Sequence, residues 1–140
     1  MEHAKLILLI SAFILPFALS IMVFSDSKGN FSKHFIAFSL FSTAFIFLCN
    51  YLYFMEVYDV YLPLHAVNSG FQLTIFPSIF LYIQAIIGRK TNRWFMILHY
   101  VPAMIVTGVG IYLFYIYVGM PELKIFLQNH RTGETLSGEK

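Results

Sequence analysis

The side chains able to do chemistry are few, and the densest group lies in the third of four apolar stretches. His65, Asn68 and Gln72 recur at spacings of three and four, so on a helix they share one face. In lipid such a face must turn toward protein, because hydrocarbon leaves its polar groups unsatisfied. It reads as an interhelical hydrogen-bonding face or a ligand-facing one, and the ligand is not specified. His65 stands near the start of that stretch and His99 near the start of the next. On antiparallel neighbours those depths are opposite, which argues against a shared metal or haem. His34 sits nearer an interface, and His3 and His130 lie in the termini. No metal ligand set or cofactor is expected. Cys49 is the single cysteine, which excludes an intrachain disulfide and a cysteine metal cluster. No Ser-His-Asp, zinc-protease or phosphate-loop arrangement is present, so the chain does not read as an enzyme.

Acidic and basic groups are the next thing to look for, since an ionisable residue within a span is a functional site by default. Residues 6–25, 35–55, 60–88 and 94–120 contain no Asp, Glu, Lys or Arg. A proton-coupled exporter needs a buried carboxylate, so that class is disfavoured. The net charge of +2 is small, and the largest basic cluster is Arg89, Lys90 and Arg93. A DNA-binding surface needs more, so direct nucleic-acid binding is not expected.

The elements that hold these residues follow from length and hydropathy. A bilayer core is about 30 Å thick and is crossed by about 20 helical residues. Each charge-free stretch meets that length. With 59% hydrophobic and 11% charged residues, a soluble surface is out of reach. The expected fold is all-α: a polytopic membrane protein with four transmembrane helices in an up-down bundle, at about 6–25, 35–54, 64–87 and 94–118. Residues 1–120 form that domain and 121–140 a polar tail too short to fold alone. Lys5 before an apolar run, with Ala18-Leu19-Ser20 beyond it, has some character of a secretory signal. Glu2 offsets Lys5 and the run continues through Phe24, so helix one is expected to be retained. Pro16 interrupts helix one, Pro63 precedes helix three, and Pro77 kinks it. Small residues mark the packing seams: Ala37, Ser39, Ser42, Thr43 and Ala44 on helix two, and Ala103, Thr107 and Gly110 on one face of helix four.

Loop charge supplies an orientation. The first loop carries Lys28 and Lys33, the second no Lys or Arg, and the third Arg89, Lys90 and Arg93. Short basic loops stay cytoplasmic, which puts the amino terminus and the tail outside, in a bacterial inner membrane. Lys124, Arg131 and Lys140 in the tail weigh slightly against that side. Tyr51, Tyr53, Tyr58, Tyr61, Tyr112, Tyr115 and Tyr117 then gather at the outer end, where tyrosine suits the headgroup level. Tyr82 and Tyr100 stand apart.

Between Pro77 and Pro102 the order of residues forms a pattern. Pro77-Ser-Ile-Phe-Leu-Tyr82-Ile opens it, Gly88-Arg89 follows, and Leu98-His99-Tyr100-Val101-Pro102 closes it. This resembles the membrane-embedded amino-terminal region of AraC-type transcriptional regulators common in Bacteroidetes. There a Pro followed by a Leu-Tyr-x-Tyr-Val-like run opens one span, and a short basic loop and a Leu-His-Phe-x-Pro-like motif open the next. The resemblance implies further spans and a cytoplasmic helix-turn-helix domain, neither present in these 140 residues. The expectation is therefore a fragment of a longer regulator or a free-standing part of one. Its function is then that of a non-catalytic sensor or signalling module in the lipid bilayer. The alternatives are a small oligomeric transport or channel-like protein, and a structural subunit of a larger membrane complex. Expected partners are the bilayer, with a second copy or a membrane protein beside it.

Overall fold

The computed structural model describes residues 2–27, 30–89, 92–114 and 125. They form four helices, α1 (Glu2–Ser25), α2 (Ser32–Phe54), α3 (Tyr58–Ile86) and α4 (Arg93–Tyr112). All four are long and apolar enough to cross a membrane, and no strand occurs among the described residues. The chain is an all-α polytopic membrane protein. The expected tail at 121–140 (save residue 125), the continuation of helix four from 115 to 118, and Lys28, Lys90, Tyr115, Tyr117 and His130 lie outside the described residues.

Short connections force successive helices to run antiparallel, and the contacts between them follow that order. Phe24 meets His34 and Phe17 meets Phe41 across α1 and α2. Phe41 and Phe45 pack on Phe71 across α2 and α3. Each helix packs on its sequence neighbours, and α1 and α4 share no extended interface among the described residues. The expected bundle is therefore an open row, with α2 and α3 inside and α1 and α4 at the flanks. Ile7, Leu8, Leu15 and Met22 of α1 and Leu98, Met104 and Ile105 of α4 are exposed. Hydrocarbon solvates such side chains as well as protein does, so no hydrophobic force closes the row.

Helix ends are built from local chemistry. Glu56 and Gly88 both adopt positive φ, +60° and +76°. After each, the chain closes a Schellman turn: Val57 N–H donates to the Leu52 carbonyl and Arg89 N–H to that of Gln84. Asn92 caps α4, its side chain accepting from Trp94 N–H at 3.2 Å. In the first loop the Asn30 side chain accepts from Ser32 N–H, and Lys33 pairs with Asp26. The Lys33 hydrogen bond and charge hold the Asp26 carboxyl below its usual value. That pair persists above the ordinary carboxylate range and is lost as pH falls through the lowered value.

Helix three departs from expectation at its start. It begins at Tyr58, so Pro63 lies inside it rather than before it. Proline frees the carbonyl four residues earlier. Here that is Asp59, in the first turn and so at the membrane edge, where water can reach it. At 29 residues and about 1.5 Å per residue, α3 exceeds the bilayer core, so its first turn stands at headgroup level. Tyr53, Tyr58 and Tyr61 gather there, with ring centroids 6.3 and 5.3 Å apart for the Tyr53 pairs.

Candidate functional site, an intramembrane cleft

The row on α3 that faces its neighbours is Leu62, Ala66, Gly70, Thr74 and Ser78, spaced by four and all buried. Small side chains let backbones approach, and α4 answers with the seam expected for it. A Cβ at Gly110 would overlap the Ala66 carbonyl oxygen, and one at Gly70 would strike Thr107 while lying 3.3 Å from the Ala103 carbonyl. Ala103, Thr107 and Gly110 thus form the small-residue seam by which α4 meets α3.

Further along the same row, hydroxyls replace small apolar groups and tie three helices together. Ser42 of α2 and Thr74 of α3 stand 2.9 Å apart. Tyr100 of α4 lies 2.9 Å from Ser78, whose hydroxyl donates to the Thr74 carbonyl at 2.7 Å. Ser78 spends its proton there, so the Tyr100 hydroxyl is the donor to Ser78. The Ser42 and Thr74 hydroxyls also reach the Phe38 and Phe71 carbonyls at 2.9 and 2.8 Å. Three contacts share two protons, so at any moment one of the three goes without a hydrogen.

Beside this ladder α2 and α4 stand apart over α3 and leave a cleft of about 790 Å³. Phe38, Phe71, Met104 and Ile111 supply apolar wall, and Thr74, Tyr100, Thr107 and His34 supply polar atoms. The Tyr100 ring meets Phe38 edge-on at 5.9 Å, bridging the cleft toward its basic-loop end. His34 Nδ1 is buried with no hydrogen-bond partner, and its Nε2 lies 3.3 Å from the Ser27 hydroxyl. An apolar cavity with a few convergent polar groups is the usual form of a small-molecule site.

The residues singled out from sequence do not converge here. Asn68 is buried, with Oδ1 lacking a hydrogen-bond partner, whereas His65 and Gln72 are exposed. The shared face is split because the small-residue row, not the amide row, sets how α3 packs. His65 Nδ1 meets its own helix's Tyr61 hydroxyl at 3.0 Å. Of the motif residues, Pro77 and Tyr82 are half-buried in α3, Gly88 forms its turn, and Pro102 is exposed on α4. His99 stacks on Phe80 at 5.2 Å and donates from Nδ1 to the Phe95 carbonyl at 2.7 Å. Cys49 is fully buried. Among the described residues no three His, Cys, Asp or Glu side chains gather around a metal-sized space.

Ser42, Thr74, Ser78 and Tyr100 escaped the sequence reading as a group, although Tyr100 carried a signal. A tyrosine away from the interfacial belt needs a partner for its hydroxyl, and Ser78 is that partner. Compared with family models, curated proteins and solved structures, the chain matches none.

Proposed function

We propose that this chain is a non-catalytic sensing module of a membrane, resembling the input region of an AraC-type membrane-bound regulator, with the α2–α3–α4 cleft as its input site. In this reading the basic first and third loops face the cytoplasm of a bacterium and the amino terminus faces outward. The observation that supports it is the cleft itself. It lies between α2 and α4, offers apolar wall for a chain, and carries the hydroxyls of Thr74, Tyr100 and Thr107 in its lining. A ligand with an apolar tail and one hydroxyl suits such a site. Spans without carboxylates or basic groups fit binding better than coupled transport.

The test is photo-crosslinking in phosphatidylcholine vesicles with a diazirine-bearing long-chain fatty alcohol. Adducts are expected on Phe38, Met104 and Thr107, and Gly108→Trp, a bulky side chain at a position that lines the cleft and where a Cβ has nothing within 4 Å, should remove most of them. Adducts spread evenly over the exposed faces of α1 and α4, and unchanged by Gly108→Trp, would refute the reading.

A further inference from the structure

A second cleft lies at the end of the molecule where the first and third loops meet. It measures about 880 Å³ and is walled by the start of α2, the end of α3 and the start of α4. Its mouth carries Arg89 and Arg93, and no described residue lining it is acidic. Behind the mouth the wall becomes apolar, with Ala85, Met96 and Ile97, and it reaches Phe35 and Tyr100. Those last two residues also line the intramembrane cleft, so the two spaces adjoin with these side chains between them.

Both arginines are placed by local structure rather than by chance. Gly88, in the left-handed region, turns the chain so that Arg89 follows directly on the closed end of α3. The Asn92 cap starts α4 at Arg93. Among the described residues, the carboxylates lie outside the lining of this cleft. Asp26 is engaged by Lys33, and Glu56 and Asp59 belong to the α2–α3 connection at the opposite end. A guanidinium pair at the level of the headgroups, over an apolar channel leading into the bilayer, has the polarity of one anionic phospholipid. Arginine presents a planar fork matched to phosphate oxygens, and basic pockets between transmembrane helices hold such headgroups.

We infer that Arg89 and Arg93 hold the phosphate of an anionic phospholipid whose acyl chain lies along Met96, Ile97 and Phe35. The site goes beyond the sensing role and stands without it, since it needs only the three helices and a bilayer. It favours the leaflet on the basic-loop side and fixes the α3–α4 turn against α2.

Trp94, the single tryptophan, is exposed and adjoins Arg93, which makes it a built-in reporter. In phosphatidylcholine vesicles, a minor fraction of dibrominated phosphatidylglycerol should quench Trp94 more than the same fraction of dibrominated phosphatidylcholine. The expected preference is about fivefold for each arginine engaged. Arg89→Gln with Arg93→Gln should bring it to parity, and the double lysine variant should keep most of it, with helical content checked by circular dichroism. Soluble glycerol phosphate should not displace the brominated lipid. Equal quenching by both lipids in the unaltered chain would overturn the inference, as would a preference that survives the double glutamine change. Displacement by glycerol phosphate would overturn it too, by showing a site for the phosphate alone.

Discussion

At the scale of single residues, what decides this structure is where a side chain is absent. Gly110 lets the α4 backbone reach the Ala66 carbonyl, while Gly108, two residues away, faces open space. The same substitution should therefore act in opposite directions. Gly110→Ala must push backbone against backbone, and overpacking of that kind costs about 1–3 kcal/mol. Gly108→Ala meets nothing and gains helix propensity, about 0.5–1 kcal/mol. Reversible unfolding in mixed micelles, followed by circular dichroism, reads both; two changes of equal sign would contradict the packing described. The small seam on α4 was legible in sequence because Ala103, Thr107 and Gly110 recur at helical spacing. The matching row on α3 was present as well, from Ala66 to Ser78. His65, Asn68 and Gln72 drew attention from it because polarity is conspicuous in an apolar span. In lipid, however, interhelical hydrogen bonds average only about 0.6 kcal/mol, and close packing of small residues decides the contact.

At the scale of elements, α4 is held to α3 in two different ways along its length. Toward the end away from the basic loops the backbones interlock at Ala66, Gly70, Thr107 and Gly110. Toward the basic loops the tie is the Tyr100 to Ser78 hydrogen bond, a weaker link. Tyr100→Phe removes the hydroxyl and keeps the ring against Phe38. Amide exchange should then quicken in α4 from Phe95 to Val101 and stay unchanged from Thr107 to Tyr112, read by exchange mass spectrometry in nanodiscs. Uniform quickening along α4 would show that the two ends are not independently held. Helix count and type were open to the sequence, since charge-free stretches of bilayer length admit few alternatives. The start of α3 was not. Pro63 looks like a boundary, but a carbonyl freed one turn from the end of a helix can meet water, so the helix runs through it.

At the scale of the whole molecule, the open row creates the clefts. α4 leans on α3 without closing against α1, and the space between α2 and α4 remains as a side entrance from the bilayer. No periodicity in the chain announces that arrangement. Which flanking helices meet is a tertiary outcome, and the exposed faces of α1 and α4 read alike on either packing. Sensing demands more than occupancy, because a ligand shifts an equilibrium only through different affinities for two arrangements. The direct measurement is the distance between nitroxide labels at Met22→Cys on α1 and Leu98→Cys on α4, both exposed sites, with Cys49→Ala. It is taken by pulsed electron resonance in vesicles with and without the long-chain alcohol. Filling the cleft should move the basic-loop end of α4 away from the α1–α2 pair, shifting the distance by about 1–2 Å or more, the size of helix shifts in switching proteins. A distribution that stays fixed while photo-crosslinking shows the cleft occupied would contradict the sensing role and leave a passive lipid contact in its place.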